Sequence, residues 1–173
     1  NGPNAPDLAF QELDKQLIVY ISNKKSNDAG NNLYEKYSEY DPNIPNPDNL
    51  PHNDRNDSLY RFEGYQIFQL KDATVGASEL YDNSRARLVV QCDIKNGVSK
   101  LVNWTYDAEL GGNKGQVMVK GNDAGIFHSC VLTEDQFPLT TFTSLINHKQ
   151  YYYTAVAYGY NQYKPYQPDS LDK

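Results

Sequence analysis

Apolar and β-branched residues occur along the chain in short runs or in alternation with polar residues, and turn residues separate these segments. The clearest segments are 15–23, 59–72, 85–93, 94–106, 116–121, 125–135 and 149–161. Because side chains of a strand point alternately to its two faces, this pattern predicts β-strands. Only 77–82 fits a short helical turn. Seven or eight short strands without an amphipathic helix predict an all-β sandwich or barrel.

The segment 24–58 interrupts this pattern and predicts a long inserted loop. It is rich in Asn, Asp and Pro and contains almost no aliphatic residues. Prolines at 42, 45, 47 and 51 lack the amide hydrogen that regular helices and central strands need. Loops of this length inside compact domains are usually functional, or are insertions that lie over the surface.

The pair Asn96-Gly97 lies between two β-rich runs. Tight two-residue hairpin turns need positive φ angles at both central residues, which asparagine and glycine tolerate best. We therefore expect a β-hairpin to turn at this point, joining the strand over 85–93 to the next one.

Composition and charge exclude several classes of function. The 173 residues carry a net charge of −6, and the isoelectric point is about 5.0. Binding to phosphate backbones requires a basic surface, so we expect no nucleic acid partner. No apolar run approaches the roughly 20 residues that span a bilayer, so we expect no membrane span.

Sequence motifs for catalysis are lacking as well. His128 and Ser129 are neighbours in a strand-like run, so their side chains should point to opposite faces and not form a relay. The nucleophile motif G-x-S-x-G is missing from the sequence. We expect a protein that is not an enzyme.

Three stretches follow one another in a recognisable order: "APDLAFQELDKQLIVYISN", "YRFEGYQIFQ" and "LINHKQYYYTAVAYGYN". Together they resemble a fibronectin type III domain, which is an immunoglobulin-like antiparallel β-sandwich. The resemblance implies the tyrosine-corner role for Tyr151. It also implies that Tyr153, Ala155 and Ala157 face the core, and that Tyr152 and Tyr158 face outward.

Four blocks are similar to a variant of this domain in large secreted surface proteins of Gram-negative bacteria that use type IX secretion. They are "RFEGYQIFQLKD", "ARLVVQCDIKNGV", "VKGNDAGIFHS" and "LINHKQYYYTAVAYGYNQY". The resemblance implies one domain over 1–163, with 24–58 as its inserted loop and 164–173 as a C-terminal linker or edge segment.

The function implied by this resemblance is that of a non-catalytic, extracellular structural or adhesion module of a larger secreted or cell-surface bacterial protein. Its partners would be neighbouring domains of the same chain, and other surface proteins or glycans. Two alternatives remain open, a carbohydrate-binding module that uses exposed aromatic residues and an accessory domain of a secreted enzyme.

Aromatic side chains are the candidates for a ligand surface. The sequence has 15 tyrosines, and six of them lie between Tyr151 and Tyr163. Polysaccharide-binding sandwiches present two or three rings on one face, although outward tyrosines in β-proteins commonly just cover the sheet. The candidates for such a surface are Trp104, Tyr152, Tyr158, Tyr160 and Tyr163.

Calcium is the only cofactor that the sequence suggests, since carboxylates cluster in the inserted loop. Hard cations take six to eight oxygen ligands, which a loop rich in Asp and Asn can supply. The first candidates are Asp41, Asp48, Asp54 and Asp57. The loop does not match the EF-hand pattern, and a solvated acidic loop is the competing interpretation.

Two further kinds of site follow from single residues. Cys92 and Cys130 lie in separate strand-like runs, and are either two buried thiols or one disulfide between neighbouring strands. The string Asp-Ser-Leu occurs at 57–59 and 169–171 and resembles an acceptor for bacterial O-glycosylation. This resemblance makes Ser58 and Ser170 candidate glycosylation sites.

Overall fold

The computed structural model describes residues 2–25, 30–44 and 58–161, and these residues form a β-structure with only two short 3₁₀ segments. The strands are β1 Asp7–Leu13, β2 Gln16–Ser22, β3 Ser38–Tyr40, β4 Leu59–Leu70, β5 Ala86–Asp93, β6 Lys100–Asp107, β7 Gly112–Lys120, β8 Ser129–Leu132 and β9 Tyr152–Tyr160. The 3₁₀ segments are Gly30–Glu35 and Ala77–Glu79. The prediction of an all-β fold is confirmed.

The strands pair in antiparallel fashion within three sheets. The first sheet has the order β1-β2-β8. In the second sheet β4 is central, because it pairs with β3 and β5 and also with β9. Strands β6 and β7 form a separate two-stranded hairpin.

The main hydrophobic core contains side chains from the first and second sheets. Val19 of β2 and Ile67 of β4 are completely buried, and Tyr65 is 1% exposed. Full burial of a side chain such as Val19 or Ile67 stabilises a fold by about 1.5–3 kcal/mol. Strand β4 is buried without interruption from Phe62 to Gln69, as a strand covered on both faces should be.

The hairpin β6–β7 packs against the outer side of β9. Val98, Leu101 and Val119 form a small buried cluster, and the rings of Tyr158 and Tyr160 pack against it. This hairpin turns between Asp107 and Gly112 and not at Asn96-Gly97, so the predicted position of the turn was wrong.

Asn96 and Gly97 instead connect two different sheets. Gly97 has a φ of +86°, as a turn residue can have. Strand β5 is already paired with β4 over its whole length. The backbone amides of Asn96 and Gly97 donate to Asp123 Oδ1 at 2.8 and 2.9 Å. These contacts direct the chain out of the second sheet and into the hairpin.

The inserted segment 24–58 has more structure than the sequence predicts. It contains the 3₁₀ segment Gly30–Glu35 and strand β3, which pairs with the start of β4. Asn32 is completely buried, and its Nδ2 donates to the carbonyl oxygen of Asn4 at 3.3 Å. All four prolines of the segment lie at position 42 or later, so none of them prevents pairing over 38–40. Residues 45–57 lie outside the described residues.

Candidate functional site

The turn that leads into β9, called the corner below, is stabilised by contacts of its side chains. The hydroxyl of Tyr151 accepts a hydrogen bond from the amide of Ile146, five residues upstream, at 2.8 Å. The ammonium of Lys149 lies 5.0 Å from the centre of the Tyr151 ring and also pairs with Asp135. Tyr153, Ala155 and Ala157 pack with the main core, together with Tyr151.

Asp135 holds this corner to the second sheet. It is 3% exposed, and its carboxylate accepts hydrogen bonds from Lys149, from Gln69 Nε2 at 2.7 Å and from the amide of Phe137 at 2.9 Å. Burial by itself raises the pKa of Asp135, but these donors outweigh burial and leave the pKa below its ordinary value. The carboxylate is therefore a structural anion whose hydrogen-bonding capacity is used inside the fold.

A cleft of about 700 Å³ lies between the β1–β2 turn and the segment that leads into β9. Its lining includes Phe10, Leu13, Leu17, Leu70, Leu145, Ile146, Tyr151, Tyr152 and Tyr153. The rings of Phe10 and Tyr153 lie 5.6 Å apart with an interplanar angle of 33°. A largely apolar concavity of this size is typical of binding sites in proteins.

Asn147 joins the two walls of the cleft through hydrogen bonds. Asn147 Oδ1 accepts a hydrogen bond from the amide of Lys15 at 2.8 Å, and Asn147 Nδ2 donates to Asp14 Oδ1 at 2.8 Å. Both partners belong to the turn between β1 and β2, so the two walls of the cleft are tied together. Glu12, Lys15, Gln16, His148, Lys149 and Gln150 supply the polar part of the lining.

The structure places the predicted ligand-surface aromatics in different surroundings. Tyr158 and Tyr160 are covered by the β6–β7 hairpin, and burial raises the pKa of both hydroxyls. The Tyr158 hydroxyl donates to the carbonyl oxygen of Cys92 at 3.4 Å. Tyr152 lines the cleft and Trp104 is half-buried on β6, whereas Tyr163 lies outside the described residues.

A buried acidic cluster at the foot of the hairpin was not anticipated from the sequence. Glu63 and Asp93 are 4% and 3% exposed. Asn96 Nδ2 donates to both carboxylate oxygens of Glu63, at 3.2 and 2.9 Å, and Asp93 accepts from the amide of Asp123 at 3.1 Å. Burial raises the pKa of Glu63 to about 7; Asn96 opposes this rise, and Asp93 and Asp123 add to it.

A second polar network ties the inserted segment to the core. The Tyr65 hydroxyl donates to Glu35 Oε1 at 3.0 Å and accepts from Asn23 Nδ2. His128 Nε2 contacts the same Glu35 oxygen at 2.7 Å. Glu35 has a φ of +62° and Tyr34 a φ of +54°, conformations that cost energy for residues with a side chain. The contacts of Glu35 offset this strain.

The two networks differ in the signal that they leave in the sequence: the one around Glu63 gives a weak signal, and the one around Glu35 gives none. Glu63 interrupts the aromatic-rich run "YRFEGYQIF", and a charged residue inside such a run is the pattern of a buried, paired carboxylate. Glu35 has no comparable pattern, because its partners Tyr65 and His128 are distant in sequence.

The two cysteines are free thiols in the structure, so the possible disulfide is not formed. Cys92 lies on β5 in the second sheet and Cys130 on β8 in the first, hence not on neighbouring strands. Both contribute to the main core, where burial raises the pKa of each thiol. A thiol with a raised pKa is a poor nucleophile.

Ser58 is 6% exposed, and its hydroxyl donates to the carbonyl oxygen of Ile44 at 3.0 Å. The acceptor oxygen of Ser58 is therefore buried and engaged in the structure, which does not favour modification there, and glycosylation at Ser58 stays a prediction. Ser170 lies outside the described residues.

Of the four predicted calcium ligands, Asp41 is the one that lies within the described residues. Asp41 Oδ1 accepts hydrogen bonds from the amide and the side chain of Asn43, at 2.9 and 3.0 Å, while Asp48, Asp54 and Asp57 lie outside the described residues. Within residues 2–25, 30–44 and 58–161, no group of three or more His, Cys, Asp or Glu side chains is arranged to hold a metal ion. The calcium site therefore stays a prediction.

Comparisons with known proteins give no family assignment. In the described part of the chain, no helix has the length and apolar character needed to cross a membrane. No family model matches the sequence, no curated protein is significantly similar to it, and no solved structure matches the fold.

Proposed function

We propose that this chain is a fibronectin type III-like β-sandwich that serves as a non-catalytic structural or adhesion module of a larger protein. The strand pairing supports this, because β1-β2-β8 form one sheet, β9-β4-β5 lie in another, and one core receives side chains from both. The hydrogen bond from the Ile146 amide to the Tyr151 hydroxyl gives further support. The tyrosine corner of immunoglobulin-like sandwiches makes the same kind of contact with the backbone a few residues upstream.

The proposal that the module is non-catalytic is supported by its buried carboxylates, which make hydrogen bonds inside the fold. Glu63, Asp93 and Asp135 are 3–4% exposed and are hydrogen-bonded to neighbouring groups. An active site needs polar groups that converge in an accessible cavity. The carboxyl group with the raised pKa, Glu63, does not line the cleft. The position of Glu63 outside the cleft supports contact, and not acid–base chemistry, as the role that we propose for the cleft.

The cellular setting is proposed from the sequence blocks alone. Their similarity to modules of surface proteins that use type IX secretion favours a secreted or cell-surface location. The partners would be neighbouring domains, other surface proteins or glycans. The net charge of −6 fits a module that avoids anionic polymers.

Adhesion of beads coated with the protein tests this function. We expect the beads to be retained under flow on Gram-negative bacterial cells, and beads coated with the heat-denatured protein to be washed off. A panel of glycoside, ester and peptide substrates, assayed with the same preparation, should show no turnover. Turnover that disappears in Glu12→Gln or in His148→Asn, which alter polar residues of the cleft, would refute a non-catalytic module. Equal retention of the folded and denatured protein would refute adhesion.

A further inference from the structure

Asn96 and Gly97, in the connection between β5 and the β6–β7 hairpin, form a pair with a reactivity of its own. In an Asn-Gly sequence the backbone nitrogen of glycine can attack the side-chain amide carbon of asparagine, because glycine has no side chain that hinders the approach. The attack closes a cyclic succinimide and expels ammonia. Gly97 is exposed, with a φ of +86° and open space around its Cα, so this approach is uncrowded and accessible to water.

The carboxylate of Asp123 lies where this reaction needs a base. Its Oδ1 accepts the N–H of Gly97 at 2.9 Å and the N–H of Asn96 at 2.8 Å. A carbonyl acceptor would only hold the hydrogen of Gly97, whereas a carboxylate can take the proton as the nitrogen attacks. Asp123 has a φ of +51°, a conformation that costs energy for a residue with a side chain. Strained residues of this kind cluster at reactive sites, where surrounding contacts hold them in place.

The two atoms of the Asn96 side-chain amide that change during the reaction also have suitable partners. Nδ2, which leaves as ammonia, donates to both carboxylate oxygens of Glu63 at 3.2 and 2.9 Å. Glu63 is 4% exposed, and burial raises its pKa to about 7, so a share of the molecules holds this proton at neutral pH. Asn96 Oδ1 accepts the amide of Val98 at 2.9 Å. That donor stabilises the negative charge that develops on Oδ1 during the attack.

We propose that Asn96 is a self-modifying residue, which the folded chain converts to aspartate or isoaspartate with Asp123 as the base and Glu63 as the acid. The bond between Gly97 N and Asn96 Cγ forms, and the bond between Cγ and Nδ2 breaks. The proton of Gly97 passes to Asp123, and Glu63 gives its proton to the departing ammonia. Water then opens the succinimide at either carbonyl, and the two carboxyl groups recover their protonation states through solvent.

The net reaction consumes one water, releases one ammonia and involves no oxidation or reduction. It happens once in each molecule and turns over no substrate, so it goes beyond the role of a non-catalytic module without contradicting it. The product lacks the Nδ2 donor to Glu63 and places a further carboxylate beside Glu63 and Asp123. Val98, two residues on, belongs to the small cluster on which the β6–β7 hairpin rests. The modification therefore loosens the attachment of this hairpin irreversibly.

Incubation of the folded protein near neutral pH, followed by trypsin digestion and mass spectrometry, tests the proposal. Trypsin releases residues 96–100 as one peptide, in which the deamidated fraction of Asn96 is counted. This peptide is separate from the other Asn-Gly pair of the chain, at residues 1 and 2. We expect Asn96 to deamidate about tenfold or more faster in the folded protein than in a synthetic peptide of residues 86–107, because the peptide has neither the base nor the acid.

Two variants remove the base and the acid separately. Asp123→Asn and Glu63→Gln should each lower the rate of deamidation at Asn96 by about tenfold or more. Glu109→Gln is the matched control, because Glu109 is exposed in the β6–β7 turn, and it should keep the rate of the unmodified protein. Circular dichroism checks that each variant is folded.

The pH profile of the unmodified protein gives a second readout, which does not depend on whether a variant folds. Between pH 6 and 8 the rate in the folded protein should fall, since Glu63 loses the proton that it donates, whereas the rate in the synthetic peptide should rise. The other titratable groups that face Glu63 are Asp93 of β5, Asp123, and the hydroxyls of Tyr158 and Tyr160 of β9. Burial raises the pKa of both tyrosines, so they stay neutral over this range.

Several results would overturn the proposal. Deamidation that is no faster in the folded protein than in the peptide would mean that the hydrogen bonds protect Asn96. Equal rates in Asp123→Asn, Glu63→Gln and the control would exclude both carboxyl groups, and a rate that rises with pH in the folded protein would exclude Glu63 as the acid. The deamidated form, separated by anion exchange, should show the fluorescence transition of Trp104 on β6 at lower urea than the unmodified form. Equal transitions would contradict the loosening of the hairpin.

Discussion

The hydroxyl of Tyr151 and the amide of Ile146 are joined by a hydrogen bond of 2.8 Å that closes the turn before β9. Replacing Tyr151 by Phe keeps the ring and its contact with Lys149 but removes the acceptor. We expect the free energy of unfolding to fall by about 1 kcal/mol, the usual net contribution of one hydrogen bond. Urea denaturation measures the change. Tyr152→Phe at the next position is the control, and an equal loss there would contradict a specific role for Tyr151.

Glu63 makes stability depend on pH in the direction opposite to most carboxylates. Its pKa is raised to about 7 by burial, from 4.5, so the folded state holds the proton more tightly than the unfolded state. The contribution of Glu63 to the free energy of unfolding is therefore largest below pH 4.5. It falls between pH 4.5 and 7, and it stays constant above pH 7. The total loss is up to about 3 kcal/mol.

Glu63→Gln should remove this slope, because the amide stays neutral and can still accept from Asn96. Unfolding in urea at several pH values between 4.5 and 8 provides the comparison. Exposed Glu109→Gln, in the β6–β7 turn, is the matched control for replacing a glutamate by a glutamine. Parallel profiles for the unmodified protein and Glu63→Gln would show that the carboxyl group titrates alike in both states.

Asp135 and Lys149 should behave as a coupled pair. Asp135→Asn leaves Lys149 without its carboxylate, and we expect a loss of about 2–3 kcal/mol, less than for a fully buried pair because the Lys149 side chain is 32% exposed. Lys149→Met should destabilise as well, and the double variant should lose less than the sum of the single variants. Simple additivity would contradict the coupling.

The pair of Asp135 and Lys149 should also make the free energy of unfolding decrease at acidic pH. The pKa of Asp135 is lowered by its donors, so its stabilisation is present above the pKa of about 4 in the unfolded chain and is lost as pH falls below it. Asp135→Asn should therefore differ most from the unmodified protein near neutral pH, and the difference should shrink steadily as the solution is made more acidic. A constant difference at all pH values would argue against an ionised carboxylate.

The β6–β7 hairpin should unfold before the main core. Its own cluster has only three buried residues, and Leu101→Ala removes part of that contact at a cost of about 2 kcal/mol or more. Trp104, the single tryptophan, lies on β6 and reports on the hairpin by fluorescence. In Leu101→Ala the fluorescence transition should come at lower urea than the far-ultraviolet circular dichroism transition. Coincident transitions would mean that hairpin and core unfold together.

The calcium hypothesis makes a separate thermodynamic prediction. A cation that binds only the folded state raises the melting temperature, and the rise grows with the logarithm of the cation concentration divided by its dissociation constant. Calcium held by Asp41, Asp48, Asp54 and Asp57 should therefore raise the melting temperature over that in chelator, and Asp41→Asn should reduce the difference. A melting temperature that chelator does not change would remove the hypothesis.

The strands could be predicted where side-chain pattern and burial agree. The runs over 59–72 and 149–161 became β4 and β9, since aromatic and β-branched residues fit a covered pleated surface. The hairpin turn predicted at Asn96-Gly97 is not formed, although the local sequence favours it. The amides of both residues donate hydrogen bonds to Asp123, which is 27 and 26 residues away in sequence. Local signals do not encode such contacts.

Sequence patterns could not predict the cleft or the buried clusters either, because these also depend on contacts between residues that are far apart in the chain. The cleft depends on Asn147 meeting the turn at Asp14 and Lys15, which is more than 130 residues away. Tyr158 and Tyr160 were expected to be open to solvent, because nothing in their own strand shows that a separate hairpin covers them.

The central position of β4 has a consequence for how the chain folds. Its longest partner strand, β9, lies about 90 residues later in the sequence, and Tyr65 pairs with Ala157. Closing loops of this length before any contact is gained makes folding slow, on the order of milliseconds to seconds for such topologies. While the protein is being synthesised, β4 must wait with one edge unpaired until β9 has left the ribosome. A chaperone that shields this edge should therefore raise the yield of folded protein more than one that acts on the finished chain.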